Sequence, residues 1–154
     1  MLIKCNLDFL KIIEQDPVRS VELLGGPKRR FEPPFEVYAL VEKQGFGVST
    51  DAVVCIAYAP YVPQDESDLE DIAHMEPGEI VVPYSLWSNQ KGAGRRLINA
   101  LLYKLKNEFP VITMSPKTDM ARRFHESNGA VLMQENKHTN NFAYPHIQEN
   151  EDED

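Results

Sequence analysis

The sequence predicts an α+β domain in which one mixed sheet carries helices on its faces, and three observations predict it. Leu97, Ile98, Leu101, Leu102 and Leu105 recur at spacings of one, three and four, the stripe of an amphipathic helix. Residues 35–42 and 52–58 are rich in β-branched and aromatic side chains. A turn region with Gly45, Gly47 and Asp51 separates them, so they read as an antiparallel hairpin. Further short strands then alternate with helices along the chain, which places both kinds of element around one core.

Taken in order, Leu2, Leu7, Leu10 and Ile13 fall on one helical face of a segment that ends before Asp16-Pro17. A loop follows, with Gly25-Gly26-Pro27-Lys28-Arg29-Arg30 and Pro33-Pro34; its cationic cluster reads as solvated surface. After the hairpin, residues 64–75 carry Asp65, Glu66, Asp68, Glu70 and Asp71, and Leu69 and Ile72 allow a short helix with a solvated acidic face. Pro77-Gly78 breaks the chain before a strand at 79–86. The Leu97 helix stops before Pro110, and 111–114 is a short buried strand. Asp119 opens a helix over 119–127, and Asn128-Gly129 supplies a left-handed stop. Strands at 130–133 and 142–144 complete the order.

The 154 residues suit a single domain, expected over 1–145. The formal charge is −8, but five acids lie in the last six residues, and about −3 is left for the rest. Residues 146–154 therefore read as an acidic, disordered tail. No basic footprint of a nucleic-acid binder is present, so no nucleic-acid partner is expected. No run reaches membrane-spanning length and no secretory segment follows the start, so a cytoplasmic setting is expected. Cys5 and Cys55 are expected to be free thiols, Cys55 buried within the apolar run 53–57.

The stretch from Val81 to Leu97 reads as strand, tight glycine turn and first helical turn. The first amides of a helix lack intrahelical partners and carry partial positive charge. Gly92-Ala93-Gly94 lets backbone approach a ligand, and Lys91, Arg95 and Arg96 add formal charge at the same place. A phosphate-bearing small molecule fits this loop. The spacing of a Walker-type loop is absent, and no metal set is indicated.

At this point the pattern resembles the GNAT superfamily of acyl-CoA-dependent N-acetyltransferases. Asn89-Gln90-Lys91-Gly92-Ala93-Gly94 is similar to the family's R/Q-x-x-G-x-G/A cofactor motif, with Asn in place of Arg or Gln. Thr118-Asp119-Met120-Ala121-Arg122-Arg123-Phe124-His125-Glu126-Ser127-Asn128-Gly129-Ala130 is similar to its second signature. The resemblance covers about residues 35–145, and Trp87-Ser88 before the glycine loop also looks like short bacteriophage-encoded members. It implies a GNAT-like fold whose mostly antiparallel sheet splays between strands 4 and 5. Acetyl-CoA would lie in that gap, its pantetheine arm along Tyr84, Ser85 and Leu86. Its pyrophosphate would lie over the amides of Gly92, Ala93, Gly94 and Arg95, beside Lys91, Arg96, Asn89 and Gln90, with Thr118 opposite. Pro83 suits a place where strand pairing is lost.

Acetyl transfer to an amine needs deprotonation of the amine, stabilisation of the thioester oxygen and a proton for the leaving thiolate. His125 stands where many members carry tyrosine, and it is the expected acid; a surface histidine is the alternative. The base stays open among Glu79, His74, Glu76 and a water held by Tyr84, Ser85 or Ser88. Trp87 either lines the acceptor pocket or packs beneath the loop, and His74 is a further acceptor-side candidate. The expected function is acetyl-CoA-dependent acetylation of a primary amine on a small molecule or protein, by a monomer or homodimer. Two alternatives remain: a non-catalytic acyl-CoA-binding or protein-interaction module, and an unrelated α+β domain with a coincidental Gly-x-Gly turn.

Overall fold

A computed structural model describes residues 1–146 of the chain. The expected acidic tail falls almost wholly outside these residues.

The hairpin forms as expected, as β2 (Phe35–Gln44) and β3 (Gly47–Ala59), and it is the spine of the molecule. On one side β1 (Leu2–Lys4) adds antiparallel to β2, pairing Leu2 with Leu40. This corrects the expectation that Leu2 shares a helical face with Leu7 and Ile13. The edge of β2 offers backbone partners to a segment too short to propagate a helix. The helix that remains, α1 (Leu10–Glu14), is little more than one turn and buries Ile13.

On the other side of β3 runs β4 (Ile80–Ser88), antiparallel, followed by the parallel neighbour β5 (Val111–Ile112). β6 (Ser115–Pro116), β7 (Val131–Glu135) and β8 (Thr139–Tyr144) complete one mixed sheet, in which β8 pairs with each of β5, β6 and β7. Only the β4–β5 pair is parallel, so the sheet is mostly antiparallel, with helices on its faces.

Two cores lie on its two sides. The α3 helix (Ala93–Leu105) covers one face with Leu97, Ile98, Leu101 and Leu105, all buried against Val54, Ile56 and Val81. Burying each such side chain stabilises the fold by roughly 1.5–3 kcal/mol. The other face packs Phe35, Val37, Cys55, Tyr84 and Trp87 beneath the N-terminal segments and α2 (Glu66–Ile72), which buries Leu69 and Ile72. The α4 helix (Asp119–Ser127) is capped by Thr118, whose Oγ1 accepts from the Ala121 amide at 3.2 Å, and Gly129 ends it at φ +94.

The segment 25–34 is more structured than its composition suggests. It winds through 3₁₀ turns, and Arg30, expected on the surface, is fully buried. Both cysteines are free and buried, and burial pushes the Cys55 thiol up to about 12. No helix among the described residues is long and apolar enough to cross a membrane.

Candidate functional site

The site begins with one extra residue in β4. Cys55 pairs with Ser85 and Ile56 with Pro83, so Tyr84 is a bulge. The Met114 amide donates to the Pro83 carbonyl at 2.9 Å, the last rung joining β4 to the chain that follows β5. The Tyr84 carbonyl also points into the gap, where Arg19 Nε donates to it at 2.8 Å. Because the following peptide is trans, the Ser85 N–H points the opposite way, toward β3. One residue further on, the N–H and C=O of Leu86 face the gap by the two-residue period of a strand. The sheet therefore forks beyond Pro83, as a splay between strands 4 and 5 requires.

The fork opens into a cavity of about 410 Å³. Tyr84, Ser85, Leu86 and Trp87 form one wall, Met114 to Pro116 the other, and Gly94, Thr118, Ala121, Phe124 and His125 the floor toward the helices. The glycine loop reaches the cavity through Gly94. Gly92 precedes α3 at φ +80, a conformation that L side chains rarely adopt. Gly94 has a different reason: a Cβ there would stand 3.1 Å from Phe124 Cε1, so glycine lets α3 approach α4.

The Ala93 amide donates to Gln90 O at 3.1 Å and the Arg96 amide to Gly92 O at 3.3 Å. The amides of Gly92, Gly94 and Arg95 have no acceptor among the described residues. Three main-chain donors at a helix N-terminus are thus free for an anion. Lys91 and Arg95 are exposed beside them; Arg96 lies 3.9 Å from buried Asp51, a charge contact and not a hydrogen bond.

Several expected residues play other parts. Asn89 ties the loop to β3, its amide donating to Asp51 O at 2.7 Å and its Nδ2 to Thr50 O at 3.0 Å. Its side chain is committed to the protein. The Gln90 carbonyl accepts from Ala93 and from the Ser88 hydroxyl. Ser85 Oγ donates to Asp16 Oδ2 at 2.7 Å, so its proton is not available for a relay. Glu79 is exposed just before β4, about 16 Å of strand from Tyr84, and neither it nor exposed His74 lines the cavity. Trp87, 8% exposed, lines the cavity and also joins the core.

His125 is in the cavity wall but is buried, and burial pushes its pKa down to about 4. Its ring is neutral at pH 7, which does not support the proton-donor role expected from the resemblance. Its Nδ1 lies 2.7 Å from the Tyr144 hydroxyl.

Sequence reasoning missed the polar cluster behind β4. Asp16 Oδ1 accepts from the Val18 amide at 2.7 Å and the Arg19 amide at 3.1 Å. Its Oδ2 accepts from Ser85 Oγ and, at 2.6 Å, from Arg30 Nη1. Arg19 Nη2 donates to Met114 O at 2.6 Å, and Nη1 pairs with Glu66 at 3.1 Å. Asp16 before Pro17 looked like a simple helix stop, and nothing in composition separates Arg30 from exposed Lys28 and half-buried Arg29.

No family model matches the sequence, and no curated protein matches it. Solved structures do match the fold. AtaTR bound with AcCoA superposes with a TM-score of 0.62 at 11% identity, over 95% of this chain and 93% of that one. Tetrahymena GCN5 gives 0.57 at 13% identity, over 92% and 86%. The KacTA–DNA complex gives 0.60 at 14% identity, over 95% and 92%. The malonyl-CoA decarboxylase of Agrobacterium vitis matches 80% of this chain at 18% identity with a TM-score of 0.57, and the chain spans 35% of that protein's length.

One of these findings overturns an expectation. A protein of this architecture is found in a complex with DNA, so the exclusion of nucleic-acid partners drawn from net charge does not stand. A charge summed over one chain says little about the partners of an assembly. The forked sheet, the glycine loop and these superpositions agree: the chain has the fold of the GNAT acetyltransferases.

Proposed function

We propose that the protein binds acetyl-CoA in the fork between β4 and β5 and transfers the acetyl group to a primary amine. One observation carries this reading: the amides of Gly92, Gly94 and Arg95 have no acceptor among the described residues, and Gly94 lines the cavity that the forked strands open. The residues present fit the cofactor. A diphosphate takes the α3 N-terminus with Lys91 and Arg95 offsetting its charge. The amide-bearing arm pairs with the Leu86 peptide, as a strand would. Likeness to a fold seen with AcCoA supports the choice of ligand.

When bound, acetyl-CoA supplies an activated thioester. In the transfer the amine nitrogen would bond to the carbonyl carbon as the carbon–sulfur bond breaks, the amine giving a proton to water and the leaving thiolate taking one from water. The chain's share is to orient the two partners and exclude water; positioning of this kind lowers barriers substantially even without one dominant base. The acceptor enters from the side of Pro17, Val18 and Trp87, and it is an amine on a small molecule or on a macromolecule. Asp16 and Ser85 bond each other, and Glu79, His74 and Glu76 are exposed and do not line the cavity, so water is left as the proton acceptor.

Acetyl-CoA should raise the melting temperature by mass action, and a panel of amines, polyamines and basic peptides should reveal thiol release. No shift at millimolar acetyl-CoA overturns the binding reading. A shift without thiol release from any acceptor favours the non-catalytic binding module.

A further inference from the structure

Where the sheet forks, two carbonyls lose their ladder partners. In a continuing parallel pair the Ser85 amide would donate to Met114 O, but the Tyr84 bulge turns that amide toward β3. The same bulge points Tyr84 O into the gap. Both carbonyls are instead met by a single side chain from outside the sheet. Arg19 Nε donates to Tyr84 O at 2.8 Å and Nη2 to Met114 O at 2.6 Å, so one planar guanidinium spans β4 and the segment that follows β5. The group is itself fixed. Nη1 pairs with Glu66 at the start of α2, and the Arg19 amide is held by Asp16. Arg19 is 9% exposed, and its neighbours Pro17 and Val18 line the cavity.

We propose that Arg19 is a positioning residue: it sets the distance between β4 and the Met114 segment that follows β5 where the fork begins, and so the place where the acyl end of the ligand stops. A fork of five N–H donors in one plane suits two carbonyls on diverging strands, and a lysine ammonium does not reproduce that geometry. Without the guanidinium the two carbonyls must find water or pull the strands into a different spacing. Either change alters the slot that the pantetheine arm enters, while the phosphate end at Gly92 stays as it is. This inference rests on the acyl-CoA reading above.

Trp87 provides the readout, because it is the only tryptophan and lines the same cavity. Wild type, Arg19→Met, Arg19→Lys and the control Arg29→Met are titrated with acetyl-CoA and followed by tryptophan fluorescence at 10 °C. Substitution by Met should weaken binding fivefold or more in the titration midpoint, with Lys between Met and wild type. The control should match wild type. A merely destabilising change raises the midpoint only by the reciprocal of the folded fraction, so each midpoint is multiplied by the folded fraction read from circular dichroism before it is compared. A midpoint for Arg19→Met within fivefold of wild type overturns the proposal. If that variant does not fold, Arg19→Lys decides: a midpoint raised at least twofold supports the positioning role, and a smaller change overturns it. Failure of wild type itself to bind acetyl-CoA sinks the acyl-CoA reading, which is a separate result.

Discussion

The imidazole Nδ1 of His125 lies 2.7 Å from the hydroxyl of Tyr144, with the rings of Phe124 and Phe142 packed against it at centroid distances of 5.1 and 5.3 Å. This pair joins α4 to β8 beside the cavity, and its chemistry is that of a buried neutral ring.

A pH dependence follows from that burial. The folded protein binds the His125 proton more weakly than the unfolded chain does, because its pKa falls from 6.5 to about 4. The stability that depends on the neutral ring is therefore fully present above pH 6.5 and is lost as pH falls from 6.5 toward 4. The total is about 3 kcal/mol. Urea midpoints at pH 7, 5.5 and 4.5 should decline in wild type, and the decline should be shallower in His125→Asn. Equal slopes would show that the histidine does not carry the effect.

The two loop glycines should fail in different ways. Gly92→Glu puts a carboxylate at a φ of +80 beside the free amides, and affinity for CoA should fall at least a hundredfold with the fold intact. Gly94→Ala presses a methyl group on Phe124 and should cost about 1–3 kcal/mol of stability through the α3–α4 contact. Calorimetric binding and thermal melts separate the two outcomes. The same loss in both measurements for both variants would contradict the distinction.

Much of this was legible beforehand, and the reason is local. The Leu97 stripe, the 119–127 helix with its Asn128-Gly129 stop and the 35–58 hairpin all declare themselves through period and turn chemistry, and each formed close to its expected bounds. The glycine turn was equally readable because its conformation is a matter of backbone geometry, with Gly92 at φ +80. Leu2, Arg19 and Arg30 were not. Their places are decided by partners 38, 65 and 14 residues away, namely Leu40, Tyr84 and Asp16, and local sequence carries no trace of such pairings. His125 was placed in the cavity wall by motif, but its protonation state is set by the rings and hydroxyl that the fold brings around it.

The buried pair behind β4 should be among the most sensitive spots in the molecule. Asp16 and Arg30 are 1% and 0% exposed in their side chains and lie 2.6 Å apart. Asp16→Ala strands a buried guanidinium and should destabilise by about 3–5 kcal/mol. Arg30→Met alone should be costly for the mirror reason, and the double variant should recover part of the loss. Strictly additive effects on chemical denaturation would argue that the two charges do not support each other.

The loop cations should contribute unequally. Lys91 and Arg95 have no ion-pair partner among the described residues, whereas Arg96 is shared with Asp51 at 3.9 Å. Replacing Lys91 or Arg95 by alanine should weaken CoA binding about threefold to tenfold at low salt, and less in 1 M salt, where the screening length is about 3 Å. Arg96→Ala should do less. An equal effect at all three positions, insensitive to salt, would mean that charge is not what holds the ligand.

Calorimetric titration of wild type and Gly92→Glu with acetyl-CoA tests the central assignment most directly. Saturable one-to-one binding by the wild-type protein, abolished by the single substitution, is the expected result. No heat of binding in the wild-type protein, or equal affinity in both, would remove the ligand from the α3 N-terminus and the acetyl-transfer function with it.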